Sequence, residues 1–262
     1  MDIYEDLISS LKEDFETKVS NLVVGVRWIA VITKKIGLSM TYDNNKHMTG
    51  VEDAGYFKGK KAFELLEYLK TFDTLKIGIG LATLNSLIKI PEKCEKFNVF
   101  DYLLEKGKDK KILFIGHFED IEKLKGVAKE VVVIERNPKE EDYLDTFQEY
   151  LIPHSDIVAI TGSTFANKSI KRILELSKDK YTIVFGPSTP LSEVLFDYGV
   201  DMIGGMVAKN DNKVFDIISQ GGSIRNFKNY VDFITLKRRY LWKINHLIFI
   251  KLKIWRKFYL LF

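Results

Sequence analysis

Apolar residues near the start of the chain recur at helical spacing: Ile3, Leu7, Ile8, Leu11, Phe15 and Val19 predict one amphipathic helix. The runs NLVVGVRWIAVIT and IGLSMTY are rich in β-branched and aromatic residues and predict two strands joined at Lys34-Lys35. A polar stretch from Asp43 to Gly59 with three glycines reads as a long loop. Beyond it, KKAFELLEYLKTF and TLKIGIGLATLNSLIKI predict two helices, the second closed by Pro91. From Lys110 the rhythm changes to strand followed by helix. KKILFIG, EVVVIE, DIVAITG, YTIVFG and VDMIGG are almost continuously apolar, with segments such as SIKRILELSKD and LSEVLFDYG between them. That pattern predicts a parallel sheet covered on both faces. The expected fold class is α/β: a small α+β domain over residues 1–95, a Rossmann-like parallel-sheet domain over 96–237, and a tail over 238–262.

Composition narrows the setting. The 262 residues are 46% hydrophobic and 29% charged, as in an ordinary globular protein. One cysteine, Cys94, rules out an internal disulfide framework and fits a reducing compartment, and the acidic start MDIYEDLISSLKED lacks the features of a secretory signal, so a cytoplasmic protein is expected. From Arg238 onward there are seven Lys or Arg and no acid, so a formal charge of +4 overall leaves −3 on residues 1–237. A mildly acidic body gives no footprint for nucleic acid, and none is expected as a partner. In the tail, RRYLWKINHLIFIKLKIWRKFYLLF, charges interrupt every apolar run, which argues against a transmembrane helix. Peripheral contact with an anionic membrane surface, a helix packed on the body or on a partner subunit, and an atypical extension are the readings left for it. A homo-oligomer is the default state.

Ligands of such sheets bind outside the carboxyl ends of the strands. The residues predicted there are Gly116-His117, Glu135-Arg136-Asn137, Thr161-Gly162-Ser163-Thr164, Gly186-Pro187-Ser188-Thr189 and Gly204-Gly205. Two of these groups precede expected helices, where free N–H groups favour an anion. Each hydroxyl is equally suited to capping its helix, so cradle and cap stand side by side. Glu135 lies 19 residues after Gly116, close to the spacing of a ribose-binding acid, but GHFEDI lacks the three-glycine fingerprint of a dinucleotide site. An S-adenosyl or nucleotide cofactor remains open. His47, His117, His154 and His246 are scattered, no metal-ligand spacing is present, and GSTFANKS lacks the glycines of a phosphate-binding loop.

The run DIVAITGSTFANKSIKRILEL with TIVFGPSTPLSEVLFDYGVDMIGG resembles the DUF364 family, named for heavy-metal chelation. AGYFKGKKAFELL, GLATLNSLI and VVVIERNP resemble the matching upstream segments, and the first strands are similar to the companion DUF4213 domain. The resemblance implies an amino-terminal domain like the enolase amino-terminal fold, packed on a Rossmann-like domain with a shared cleft. It also makes a metal ion or metal chelate the expected cofactor or ligand. Asn85 matches a recurrent family position, and Gly55, Tyr56 and Lys58 are expected at the lip of the cleft. The candidate ligand-binding residues are therefore Asn85, Gly116, Glu135, Thr161, Gly162, Ser163, Asn167, Gly186, Pro187, Ser188, Thr189 and Gly205. The expected function is binding or processing of a small anionic ligand between the domains, metal or chelate included. An enzyme using a nucleotide or S-adenosyl cofactor at the same rim is the alternative.

Overall fold

A computed structural model describes residues 2–42 and 50–238. Helix α1 (Ile3–Ser9) starts at Asp2, whose carboxylate accepts the Tyr4 N–H at 2.9 Å. It stops well short of Val19. The Ser10 hydroxyl donates to the Leu7 carbonyl, the chain tightens into a 3-10 turn at Lys12–Asp14, and the Val19 N–H goes instead to the Lys60 carbonyl. The apolar spacing out to Val19 thus marks burial along a bent segment rather than one helix.

Strands β1 (Asn21–Val24), β2 (Trp28–Ile32) and β3 (Ile36–Met40) form an antiparallel meander. The first predicted strand is two strands, because Gly25 turns the chain: its N–H bonds the Trp28 carbonyl, and a Cβ there would meet the Ile218 carbonyl at 2.7 Å. Helix α2 (Ala62–Leu66) runs on as a 3-10 turn, and α3 (Thr74–Leu87) is capped by Asp73, whose side chain accepts the Leu75 and Lys76 N–H groups.

The larger unit contains α4 (Val99–Lys106), β4 (Lys111–Ile115), β5 (Glu130–Glu135), β6 (Tyr143–Leu144), α5 (Gln148–Leu151), β7 (Ile157–Thr161), α6 (Ile170–Leu176), β8 (Tyr181–Phe185), α7 (Val194–Asp197), β9 (Met202–Ala208), α8 (Asp211–Ser219), α9 (Ile224–Phe227) and β10 (Val231–Lys237). Its seven strands lie in the order β10-β9-β8-β7-β4-β5-β6, all parallel except β10, which runs antiparallel to β9. The order reverses between β4 and β7. The five predicted strands are present; β6 and β10 extend the sheet at its two edges.

Alternate side chains of β4 divide the core. Leu113 and Ile115 join a cluster with Ile3 and Leu7 of α1, Leu66 of α2 and Leu81 and Leu84 of α3. Ile112 and Phe114 face the other way, onto Val99, Phe100 and Leu103 of α4. One face of the large sheet is thus covered largely by the amino-terminal unit. The small sheet is itself sandwiched, with Ile29 and Val31 against Leu65 and Ile79, and Ala30 and Leu38 against Val214, Ile218 and Phe227. At Gly37 the fit is tightest: a Cβ would lie 2.1 Å from the Ala82 carbonyl oxygen and 2.2 Å from the Ser86 nitrogen. Only glycine lets β3 lie against the α3 backbone, and this contact brings Asn85 beside Leu38.

Among the described residues no helix is long and apolar enough to cross a membrane. His47, His246 and the tail beyond Arg238 lie outside the described residues.

Candidate functional site

The GPST loop leaves β8 at Gly186, whose φ of 115° is open to glycine. No helix starts there. Pro190 follows Thr189, biases it towards extended backbone and removes an N–H donor, so the next helix, α7, waits until Val194 and has no side-chain cap. Ser188 and Thr189 are therefore not helix caps, and the helix-dipole argument for an anion does not apply to this loop. Both side chains are buried, at 3% and 4% exposure.

Ser188 instead joins the two units. Its hydroxyl accepts the Met40 N–H from β3 at 2.8 Å, and its carbonyl accepts Asn85 Nδ2 at 3.1 Å. Asn85 Nδ2 donates as well to the Leu38 carbonyl at 2.9 Å. The loop also lies directly against the end of β7, as Thr161 is in register with Phe185. A Cβ on Gly162 would meet Thr189 Oγ1 at 2.3 Å and the Thr189 nitrogen at 2.5 Å. Gly205 fits under Leu191 in the same way, with Leu191 Cγ 2.5 Å from its would-be Cβ. These glycines serve close backbone approach within the protein.

The hydroxyls after β7 are used locally. Thr161 Oγ1 caps the following 3-10 turn at the Ser163 N–H and lies 3.0 Å from Ser163 Oγ, while Thr164 Oγ1 donates to the Thr161 carbonyl. Asn167 accepts from both the N–H and the hydroxyl of Ser169 and reaches Tyr42 OH with Nδ2 at 3.3 Å.

Among the described residues, two buried polar atoms at this junction have no partner: Asn85 Oδ1 and Thr189 Oγ1. Buried polar atoms are nearly always satisfied, so such a pair marks a place where another group is wanted. Both residues line a cavity of about 20 Å³, together with Lys35, Gly37, Pro187 and Leu191. Among the described residues Lys35 is the one charged residue on that wall. Burial pushes its amine below the usual lysine range, opposed by the negative charge of Asp211 and by Cys94. Burial likewise pushes the Cys94 thiol up. Ile88 and Leu191 also line a larger groove of about 510 Å³, together with Glu13, Glu92, Lys93 and Glu193.

The other predicted residues gather further along the rim. Gly116 (φ 99°) closes β4, and its would-be Cβ lies 2.8 Å from Thr161 Cγ2, so Thr161 fills the space where the strand order reverses. Glu135 accepts the His117 N–H at 3.1 Å and the Arg136 N–H at 2.8 Å. His117 Nδ1 is 3.5 Å from the Asp142 carboxylate. Nine of the twelve candidates form two groups: Asn85, Gly162, Pro187, Ser188 and Thr189 at the junction of the units, with Gly186 and Gly205 supporting that loop, and Gly116 and Glu135 beyond Thr161. Ser163 sits between them, and Asn167 faces Tyr42. The Gly55–Lys58 loop packs through Phe57 under the small sheet, leaving Tyr56 exposed on the unit's own surface. Lys35 was not singled out from sequence, since a lysine in a tight turn is ordinarily solvated.

Among the described residues no group of three His, Cys, Asp or Glu is placed to hold an ion. Glu135, the rim carboxylate, is already held by two backbone N–H groups. These residues do not fit direct coordination of a soft metal, which takes thiolate or imidazole ligands.

Comparison with known proteins gives two adjoining matches. Residues 98–237 match the DUF364 family model and residues 4–88 the DUF4213 model, each described as "Putative heavy-metal chelation". The fold is similar to the crystal structure of a DUF364-family protein of unknown function from Desulfitobacterium hafniense, with TM-score 0.81 and 24% identity over 90% of this chain and 98% of that one. A DUF364-family protein from Pyrococcus horikoshii is similar with TM-score 0.77 and 20% identity, again over 90% and 98% of the two chains. An uncharacterized protein of Methanocaldococcus jannaschii is 23% identical over 217 residues, 76% of this chain and 81% of the relative.

Proposed function

This chain belongs to the DUF364 family, with a DUF4213 segment ahead of it, and from that premise we propose that it binds a small anionic ligand, a preformed metal chelate, at the junction between its two units. The observation that carries the reading is a cavity lined by the half-buried Lys35 and by Asn85 and Thr189, whose Oδ1 and Oγ1 lack partners among the described residues. An ammonium in a partly desolvated setting attracts an anion more strongly than one in water. The family description speaks of heavy-metal chelation, while the described side chains offer no three-donor group. Both are accommodated when the metal arrives already wrapped in a carboxylate chelator and the protein reads the chelate.

The test is calorimetric titration of the full chain with Ni²⁺ alone, citrate alone and the Ni²⁺–citrate complex. Citrate and its complex should bind, and Lys35→Met should weaken both. Stoichiometric binding of bare Ni²⁺ with no response to citrate would overturn the reading.

The second reading, an enzyme using a nucleotide or S-adenosyl cofactor, draws on the reversal of strand order between β4 and β7 with Glu135 one strand away. We read the seven-stranded unit as Rossmann-like on that order, and the meander with α2 and α3 as similar to the enolase amino-terminal fold. Two features weigh against the cofactor. The Glu135 carboxylate already takes the His117 N–H of the turn that would face a phosphate, and that turn leads into a 3-10 helix at Glu119–Leu124 rather than an α-helix. Titration with S-adenosylmethionine distinguishes the readings, since micromolar binding would favour the second. We place the protein in the cytoplasm on its single thiol.

A further inference from the structure

The polarity of the small cavity is fixed by the fold. An asparagine amide can usually be turned over, exchanging donor for acceptor. At Asn85 that freedom is gone, because Nδ2 donates to two carbonyls, Leu38 at 2.9 Å and Ser188 at 3.1 Å. Turning the amide over would set two carbonyl oxygens against a third. Oδ1 must therefore be the atom left without a partner, and it can be satisfied only by a donor. Thr189 Oγ1, in a residue 96% buried that lines the same cavity as Asn85, is also unpartnered among the described residues and can donate or accept. The cavity, at about 20 Å³, exceeds the roughly 10–15 Å³ that one water requires and holds little more.

We propose that this cavity is a one-group socket: it holds a single water in the free protein, hydrogen-bonded to Asn85 Oδ1 and Thr189 Oγ1, and a hydroxyl or amino group of the bound ligand takes that water's place. This rests on the anionic-ligand reading and narrows it to anions that carry a neutral donor, the hydroxycarboxylates and aminocarboxylates. The carboxylate meets Lys35 on the same wall, and the donor group enters the socket. A carboxylate cannot take the socket itself, because it brings no proton to Asn85 Oδ1. A carboxylate lacking the donor group either leaves the water in place or strands two buried polar atoms. The ligand body lies outside, since the socket has no room for it.

Two measurements test the socket. A crystal structure of the free protein at a resolution that shows ordered water should place one within hydrogen-bond distance of both atoms; an empty, well-defined cavity overturns the proposal whatever the protein binds. Titration of the full chain with citrate and with tricarballylate, the same tricarboxylate without its hydroxyl, should show citrate bound about tenfold more tightly, the worth of one well-placed buried hydrogen bond. Thr189→Val keeps the shape and removes the hydroxyl. It should lower the citrate preference to about threefold, because one of the two partners of the ligand's hydroxyl is lost while Asn85 Oδ1 still accepts, with thermal unfolding confirming that the variant folds. Equal binding of the two acids, or a full preference surviving in Thr189→Val, overturns the socket while leaving the anionic reading intact. Binding of neither acid overturns the anionic reading, and the ordered water then decides the socket alone.

Discussion

Gly162→Ala tests the contact on which the junction depends. A Cβ at this position would sit 2.3 Å from Thr189 Oγ1, 2.5 Å from the Thr189 nitrogen and 2.8 Å from its Cα. Two of those atoms belong to the backbone of the GPST loop, so no side-chain rotation relieves the clash, and the loop must move away from β7. Overpacking of this kind costs about 1–3 kcal/mol, and a backbone obstacle puts it at the upper end. The reduced freedom of an unfolded chain carrying alanine returns about 0.4–1 kcal/mol. The net is a loss of about 2 kcal/mol, which lowers Tm by roughly 4–8 °C in a protein of this size. Gly126→Ala is the control: nothing lies within 4 Å of its would-be Cβ, so only the unfolded-state gain of about 0.4–1 kcal/mol applies. The two variants should shift the thermal transition in opposite directions when followed by circular dichroism. A stabilised Gly162→Ala would mean that the loop does not rest against β7, and the geometry assigned to the junction would be wrong.

Ser188→Ala removes the acceptor of the Met40 N–H and should cost about 1 kcal/mol in urea denaturation, with the loss concentrated where β3 meets the loop. No change would show that water replaces the serine without penalty. Alkaline pH should unfold the protein through three phenols. Tyr4, Tyr68 and Tyr198 are all held above the ordinary tyrosine value, in each case first by burial and then by a nearby carboxylate, Asp2, Asp53 or Asp6. In the window above about pH 10 the folded state keeps protons that the unfolded chain releases, so this stability is intact below that pH and falls as pH rises. Phenolate absorbance should therefore include a fraction that appears only with loss of ellipticity; full ionisation of every tyrosine in a protein still native by circular dichroism would contradict it.

The strands of the large sheet were readable because a sheet buried on both faces demands nearly continuous apolar runs, as in EVVVIE and YTIVFG. The edge strand β10 also has an apolar run, yet the alternation of strand and helix stops at VDMIGG and gives it no signal, and β6 is two residues long. Reading a helix straight after GPST overlooked Pro190, a local signal present in the sequence. Asn85 stood out as an amide on an apolar helix, and its two carbonyl partners account for it. Lys35 could not be found in this way. Its partial burial comes from segments far along the chain, including Pro187, Leu191 and Met206 on the same wall, and no local pattern announces a contact of that range.

Sharing one apolar cluster between the first helices and the large sheet has a consequence for the order in which the chain can fold. The Tyr4 hydroxyl donates to the Phe165 carbonyl and the Tyr198 hydroxyl to Asp6, pairs separated by 161 and 192 positions. During synthesis the apolar faces of α1, α2 and α3 emerge well before the strands they cover. The side of α2 and α3 that packs on the small sheet is covered early, but the side that joins the shared cluster lacks its large-sheet partners until β4, β7 and β8 have left the ribosome. Contacts of such long range must absorb the entropy of closing a large loop before they return any stability, which slows the final step. The nascent amino-terminal half is thus the part of this protein most exposed to chaperones and to self-association, and the moment of greatest hazard comes before the junction of the two units exists at all.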